Sequence, residues 1–204
     1  VFERERLNGH YGILAFLMSS IFSPIPYIVM ISLIPGAIAY YLSGLRKGPE
    51  HFLLFASVIF ALLIWVESLM LVLGSMFQKF MVGVIIASGI EGVMILTSGF
   101  YKRPNDLPKP FWKYPFYYVS FLNYALQGSL KNELEGLSFT LDQDGGAKTV
   151  SGTEILAETW HMQMGHSKWV DLAIMFGMIV LYRVIFLDIA KSKEKLKPSL
   201  EGSM

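Results

Sequence analysis

Residues 80–101, FMVGVIIASGIEGVMILTSGFY, form a long apolar stretch with one acidic residue, Glu91, near its middle. About 20 residues at 1.5 Å each cross a hydrocarbon core of ~30 Å, so the stretch is long enough for one membrane helix. A carboxylate at the centre of such a helix costs about 3 kcal/mol on insertion scales, so Glu91 is expected to face protein, a partner charge or water. Ser88 and Gly92 form a small-xxx-small pair, which lets another helix approach closely.

The composition of the whole chain extends this interpretation. Of the 204 residues, 53% are hydrophobic and 16% are charged, and the mean hydropathy is +0.48, whereas soluble domains carry about 25% charged residues. The chain is therefore predicted to be an integral membrane protein. Seventeen Lys and Arg balance sixteen Asp and Glu, which argues against a basic face for nucleic acid. The absence of Cys excludes disulfides, Cys-ligated zinc and thiol catalysis within this sequence.

Similar apolar stretches on either side of residues 80–101 predict an all-α membrane fold of about four transmembrane helices. The predicted helices are 11–45, 51–74, 80–101 and 169–190. The first stretch exceeds one span, and the prolines in residues 23–26 interrupt it. A single span from about Pro26 to Leu42 is expected, preceded by an amphipathic stretch and kinked near Pro35.

Residues 102–168 are polar and rich in proline and aromatic residues, which predicts a large external loop with short re-entrant or interfacial helices. Residues 116–130 have the length and aromatic content of one such helix. Ser151 precedes Glu154 by three residues, a capping-box spacing that predicts the start of another short helix, extending to about 164. The lysine-rich segment 191–204 is predicted to be a cytosolic tail by the positive-inside rule. Four spans then place residues 1–10 in the cytosol as well.

Few residues form a pattern typical of an enzyme. The histidines are scattered and are interpreted as interfacial polar residues: His10, His51, His161 and His166. Glu67 and Glu91 lie on different predicted membrane helices, and an ionisable group in a membrane span is a functional candidate. The alternative for each is a hydrogen bond to a neighbouring helix that supports packing, and both interpretations stay open. Arg183 is assigned to snorkelling, and Phe100 and Tyr101 would otherwise be interfacial aromatic anchors.

Three stretches together resemble one known family. They are VFERERLNGHYG at 1–12, SGFYKRPNDLPKPFWKYP at 98–115 and SKWVDLAIMFGMIVLYRVIF at 167–186. In combination they are similar to the G-subfamily (white-brown complex) ABC half-transporters, and especially to the plant branch associated with export of cuticular lipids. The resemblance implies the C-terminal two-thirds of an ABC-2 type transmembrane domain. Two further spans and an ATP-binding domain would precede it, in keeping with a chain that starts at Val1 rather than at Met.

The resemblance also implies roles for particular residues. The segment matching the family's first coupling helix, which contacts the ATPase domain, consists of Glu3, Arg4, Glu5 and Arg6. The positions matching the wall of the central substrate cavity are Ser88, Glu91, Gly92 and Ile95. Glu91 departs from the uncharged residue expected there and would tune what the cavity accepts. Phe100 and Tyr101 match the hydrophobic plug between the cavity and the exit, here aromatic rather than two leucines. The loop cysteines of animal relatives are absent, so their disulfides cannot form.

The function implied is the membrane-spanning part of an ATP-driven exporter in the plasma membrane. Its substrates would be lipid-like molecules such as cuticular wax or cutin precursors, moved by alternating access. This sequence would bind no cofactor itself, since ATP and Mg belong to the missing nucleotide-binding domain. The expected partners are that domain, a second half-transporter, identical or different, the bilayer and a hydrophobic substrate. The alternatives are a membrane-embedded lipid-metabolising enzyme using Glu67 or Glu91 as acid or base, and a non-transporting partner subunit.

Overall fold

The computed structural model describes residues 13–77, 79–101, 116–143, 146–160, 162 and 164–201, and these are mostly helical. The helices in chain order are α1 Ile13–Phe22, α2 Ile25–Leu42, α3 Pro49–Met76, α4 Phe80–Thr97, α5 Tyr117–Val119, α6 Phe121–Leu134, α7 Gly152–Glu158 and α8 Lys168–Glu201. Between α6 and α7 lie two strands, β1 Ser138–Gln143 and β2 Gly146–Ser151.

Four helical segments of the described chain are long and apolar enough to cross a membrane, judged by length and composition. They are Met18–Leu42, Pro49–Met76, Phe80–Thr97 and Lys168–Lys193. This confirms the predicted all-α membrane fold class. The last helix extends well past the predicted end at residue 190, because α8 has 34 residues, which at 1.5 Å each gives about 50 Å.

The first apolar stretch divides at Ser23 and Pro24. Pro24 has no N–H to continue the hydrogen-bond ladder of α1, and its carbonyl instead accepts the N–H of Ile28 in the first turn of α2. The amphipathic character predicted for the stretch before the break stays a prediction; in its described part, α1 is apolar apart from Ser19 and Ser20. The helix α2 continues through Pro35 to Leu42.

The long helix α3 lies at the centre of the bundle and packs against α2, α4, α6 and α8. Its buried face supplies half of the buried residues of the core: Leu54, Val58, Ala61, Trp65, Leu69 and Leu73. The Trp65 ring stacks on Phe121 of α6 at 4.9 Å and meets Tyr182 of α8 edge-on at 5.7 Å. The N-terminal end of α6, at Phe121, is therefore embedded among membrane-length helices.

The helix α4 ends at Thr97, four residues before the predicted end at Tyr101. Gly99 has φ +92°, and a residue in this left-handed region at the end of a helix terminates it. The Ser98 hydroxyl also donates to the Ile95 carbonyl at 2.8 Å, satisfying a group that the helix leaves unpaired. Phe100 and Tyr101 consequently lie just beyond the helix.

Between α4 and α8, the prediction missed a hairpin. The strands β1 and β2 pair antiparallel, with Ser138 opposite Ser151 and Gln143 opposite Gly146. The turn-forming residues 142–146 outweighed the two short strands in the sequence pattern. The predicted helix start at Ser151 is correct, since its hydroxyl accepts the Thr153 N–H. The helix α7 is shorter than expected and ends at Glu158.

Candidate functional site

The predicted cavity residues share one face of α4. Ser88, Glu91, Gly92 and Ile95 follow the i, i+3, i+4, i+7 spacing of a single helical face. Ser88 and Ile95 are exposed, and Glu91 and Gly92 are partly exposed. The buried side of α4 carries Gly83, Ala87 and Met94, with Ala87 and Met94 in the same core as the α3 residues. The predicted face thus points away from the core of this chain.

Glu91 forms no hydrogen bond or ion pair with any residue in the described part of the chain. Among the described residues, Glu91 therefore makes no bond to a neighbouring helix that would support packing. The nearby Ser88 hydroxyl is satisfied within α4, donating to the Val84 carbonyl at 2.9 Å. A carboxylate without a partner on an outward face needs water, a ligand or another protein chain around it.

The two predicted plug residues lie together on the surface after α4. The rings of Phe100 and Tyr101 meet edge to face at 5.1 Å, and the residues are 57% and 68% exposed. Both contribute to an open, mainly apolar groove of about 380 Å³, called the groove below. Its lining residues are Phe55, Val58, Ile59 and Leu62 of α3, Ile95 of α4, Ser98, Phe100 and Tyr101 after it, and Leu122, Ala125, Leu126 and Ser129 of α6.

The groove brings together three of the six predicted cavity and plug residues. Ile95, Phe100 and Tyr101 line it, whereas Ser88, Glu91 and Gly92 lie on the same α4 face but outside the lining. The contributions of α3 and α6 were not predicted, because nothing in the sequence says which residues of these helices meet. The four predicted coupling residues, Glu3 to Arg6, lie outside the described residues.

Glu67 is paired across the bundle. The Arg183 guanidinium on α8 donates to the Glu67 carboxylate on α3 at 2.9 Å, and Arg183 is only 8% exposed. The assignment of Arg183 to snorkelling is therefore wrong, since the side chain turns inward to a counter-charge rather than out to the membrane surface. Of the two membrane carboxylates, Glu67 has the packing role that the sequence left open.

A buried charge cluster at the start of α8 was not predicted. Asp171 is fully buried, and its carboxylate accepts from the Lys131 ammonium at 2.8 Å and pairs with His166 Nε2 at 2.6 Å. Lys131 also donates to the His166 carbonyl at 3.1 Å. The buried Lys131 ammonium therefore has two acceptors, the Asp171 carboxylate and the His166 carbonyl. The buried Asp171 carboxylate has two partners, Lys131 and His166, and buried charges require such compensation.

The next two residues of α6 continue this network toward other helices. The Asn132 amide donates at 2.9 Å to the carbonyl of His51, near the start of α3, and accepts from the Lys168 ammonium at 3.1 Å. Glu133 accepts the Arg46 backbone N–H at 2.7 Å and the Tyr40 hydroxyl at 3.1 Å. Asp171 was the one sequence signal that could have indicated this network, because a charged residue near the start of an apolar span needs a partner.

Polar side chains also hold the inner half of α6. Gln127 is buried and donates to Asn123 at 2.8 Å and to the Tyr117 hydroxyl at 3.2 Å. Burial raises the pKa of Tyr117 to about 12, so the phenol stays protonated at neutral pH. The buried Ser120 hydroxyl donates to the Met94 carbonyl at 3.1 Å, which attaches the start of α6 to α4 near the groove.

Comparison with known protein families gives one clear match. Residues 1–134 match the family described as ABC-2 type transporter. This range contains the predicted coupling segment, the predicted cavity and plug residues, and α6.

Relatives resemble the chain over nearly its whole length. It is 50% identical over 204 residues, all of this chain, to ABC transporter G family member 1 of Petunia hybrida. It is 43% identical over 99% of its length to ABC transporter G family member 11, and 35% identical over 97% to member 13, both of Arabidopsis thaliana. The chain spans 31%, 28% and 29% of these three relatives, so it corresponds to less than a third of each.

Proposed function

Because this chain belongs to the ABC-2 type transporter family and resembles plant ABC transporter G family members throughout, we propose that it forms the membrane-spanning export path of an ATP-driven half-transporter. Transport is the role of the family. The additional proposals are the substrate class, a lipid-like molecule such as a cuticular wax or cutin precursor, and the mechanism, alternating access. ATP and Mg are bound by a nucleotide-binding domain outside this sequence.

The observation that carries the proposal is the convergence of Ile95, Phe100 and Tyr101 on one apolar groove. A mainly apolar groove can accept a hydrocarbon chain without leaving its polar groups unpaired. Alternating access needs two global states with different substrate contacts. We assign the moving contact to Phe100 and Tyr101, which lie beyond the end of α4 at Thr97, and call this pair the gate.

The α4 face with Ser88, Glu91 and Gly92 is proposed to line a cavity shared with a second half-transporter. Its outward direction supports this, as does the small-xxx-small spacing of Ser88 and Gly92. An unpartnered Glu91 is reasonable if the cavity contains water or a polar substrate group. The enzyme alternative has less support, since it uses Glu67 or Glu91 as acid or base: Glu67 is bonded to Arg183, and Glu91 has no acid–base partner among the described residues.

The orientation proposed is the one that follows from the basic tail. The C-terminal end of α8, with Lys191 and Lys193 exposed, would lie in the cytosol together with residues 1–10. The groove and the loop after α4 would then face the outside of the plasma membrane. The segment 1–10 would contact the ATPase domain.

ATP-dependent export tests the proposed function. The complete transporter, in inside-out vesicles, is supplied with a radiolabelled long-chain primary alcohol and, separately, the alkane of equal length. Accumulation of the alcohol that requires hydrolysable ATP is expected. Vesicles with folded protein that hydrolyse ATP yet accumulate neither compound would contradict the proposal.

The same assay with Glu91→Leu tests the role of the carboxylate. We expect the preference for alcohol over alkane to fall at least threefold, since the hydroxyl loses a hydrogen-bond acceptor. Val82→Ala is the matched control, because Val82 is also exposed on α4 but projects about 80° or more away from each of the four proposed cavity residues. An unchanged preference in Glu91→Leu would remove Glu91 from the cavity.

A further inference from the structure

Three consecutive residues near the C-terminal end of α6, called its outer end below, bind to three different parts of the bundle. Lys131 bonds to Asp171 of α8, Asn132 to His51 of α3, and Glu133 to the backbone N–H of Arg46, in the turn after α2. Successive residues of an α-helix point about 100° apart, so one short segment can reach helices on three sides. Each of these bonds joins residues 40, 81 or 87 positions apart.

The bonds of this segment are well formed and mostly shielded from water. Lys131 and Asn132 are each 1% exposed, and Asp171 is fully buried. The Tyr40 hydroxyl reinforces the third attachment, since its one hydrogen is shared between the Arg46 carbonyl at 2.6 Å and the Glu133 carboxylate at 3.1 Å. Charge-assisted bonds in a shielded site hold geometry more strongly than bonds between exposed groups.

The same helix forms one wall of the groove. Leu122, Ala125, Leu126 and Ser129 follow the i, i+3, i+4, i+7 spacing and face Phe100 and Tyr101 across the groove. Lys131 projects from the opposite side of α6, as the 100° step per residue from Leu122 and Ser129 requires. A displacement of α6 away from α8 would therefore narrow the groove, and a displacement toward α8 would widen it.

The N-terminal end of α6, called its inner end, is held by apolar packing and one hydrogen bond. Phe121 is fully buried against Trp65, and the Ser120 hydroxyl is bonded to α4. With this end embedded in the core, a tilt of α6 would move its outer end most, where Lys131, Asn132 and Glu133 form their polar bonds. The width of the groove then depends on whether those bonds are made.

We propose that Lys131, Asn132 and Glu133, together called the clasp, are positioning residues that hold α6 against the membrane helices and set how far the groove opens at the gate. The proposal rests on the proposed function, because the groove is taken as the export path. It concerns the clasp alone: none of its three residues lines the groove, and none is assigned contact with substrate.

The accessibility of the groove gives a direct test. The sequence contains no Cys, so Ser129→Cys places a single thiol of this chain in the groove wall. In the complete transporter, its rate of modification by a membrane-impermeant maleimide is measured with and without Lys131→Met. We expect Lys131→Met to lower the rate at least fivefold, because loss of the cation releases α6 from α8 and lets it move toward the gate, which narrows the groove.

Further variants separate positioning from folding. Lys131→Arg keeps a charged donor toward Asp171 and should return the rate to within twofold of the parent. Glu133 projects from the groove side of α6, so Glu133→Gln, which weakens the attachment to Tyr40 and Arg46, should let α6 move toward α8 and raise the rate about threefold. Glu158→Gln, which changes an exposed carboxylate on α7, is the control and should leave the rate unchanged.

A second readout is the amount of substrate exported per ATP hydrolysed. It should fall at least threefold in Lys131→Met, whereas a loss of folded protein alone would leave this ratio unchanged.

An unchanged maleimide rate in both Lys131→Met and Glu133→Gln would overturn the clasp. If Lys131→Met fails to fold, Glu133→Gln decides by the same criterion. Failure of the proposed function looks different: the parent protein would export nothing, while the maleimide rate could still respond to the clasp variants. Normal export with an unresponsive rate would leave the function standing and remove the clasp.

Discussion

Charged residues inside this bundle differ in whether they have a partner, and the difference separates structural from functional candidates. Asp171 and Arg183 are buried and paired. Glu91, on the outward face of α4, has no partner among the described residues. A buried ion pair gives little net stability compared with apolar side chains, but losing one member leaves the other charge without compensation. The two members of a pair need not be equally sensitive.

Removal of Glu67 is expected to be more harmful than removal of Arg183. In Glu67→Leu the buried guanidinium of Arg183 keeps its charge, because arginine does not deprotonate in proteins, and about 3–5 kcal/mol of stability should be lost. In Arg183→Met the remaining carboxyl group can take up a proton and become neutral, so the loss should be smaller by 1 kcal/mol or more. Thermal unfolding of the detergent-solubilised protein measures both.

The double variant Glu67→Leu/Arg183→Met serves as the control for this pair. It removes both charges and should recover much of the stability lost in Glu67→Leu. An equal loss in the two single variants, or no recovery in the double variant, would show that the 2.9 Å contact does not govern the stability of this part of the bundle.

At the scale of elements, local signals were readable and distant pairings were not. Apolar length indicated all four membrane helices, and Ser151 correctly marked the start of α7. Gly99 ended α4 at Thr97 rather than Tyr101 because of its positive φ, a conformation that the apolar pattern did not reveal. The bond between Lys131 and Asp171 joins residues 40 positions apart. Sequence periodicity shows neither which helices are neighbours nor their relative heights.

The hairpin is held to the end of α6 by Gly152. Its N–H donates to the Leu137 carbonyl at 2.7 Å, and a Cβ added at Gly152 would overlap the Leu134 carbonyl oxygen. Gly152→Ala should therefore push β2 away from α6, and overpacking of this kind costs about 1–3 kcal/mol. Limited proteolysis of the hairpin should become faster, together with a lower melting temperature.

Gly165→Ala is the matched control for this substitution, since no atom of the described residues lies within 4 Å of the added Cβ there. It should change neither the proteolysis rate nor the melting temperature. If Gly152→Ala behaves like Gly165→Ala, the close approach of the hairpin to α6 is not a feature of the folded protein.

The whole molecule combines a rigid centre with an exposed surface that one chain does not cover. The core around α3 is continuous with α4, α6 and α8, while the α4 face and the gate remain exposed. Resemblance to the half-transporter family predicted the gate residues, and the structure adds the groove walls from α3 and α6 to them. The groove itself could not be predicted from the sequence, because side chains from three helices form it.

The most direct test of the account is export by the Phe100→Ala/Tyr101→Ala transporter in the vesicle assay, with ATP hydrolysis measured in the same preparation. Tyr27→Ala, an equally exposed tyrosine on α2, is the control. If the groove at the gate is the export path, the double variant should hydrolyse ATP but export at least fivefold less alcohol per ATP, while Tyr27→Ala matches the parent. Unchanged export together with unchanged ATP hydrolysis in the double variant would contradict the account.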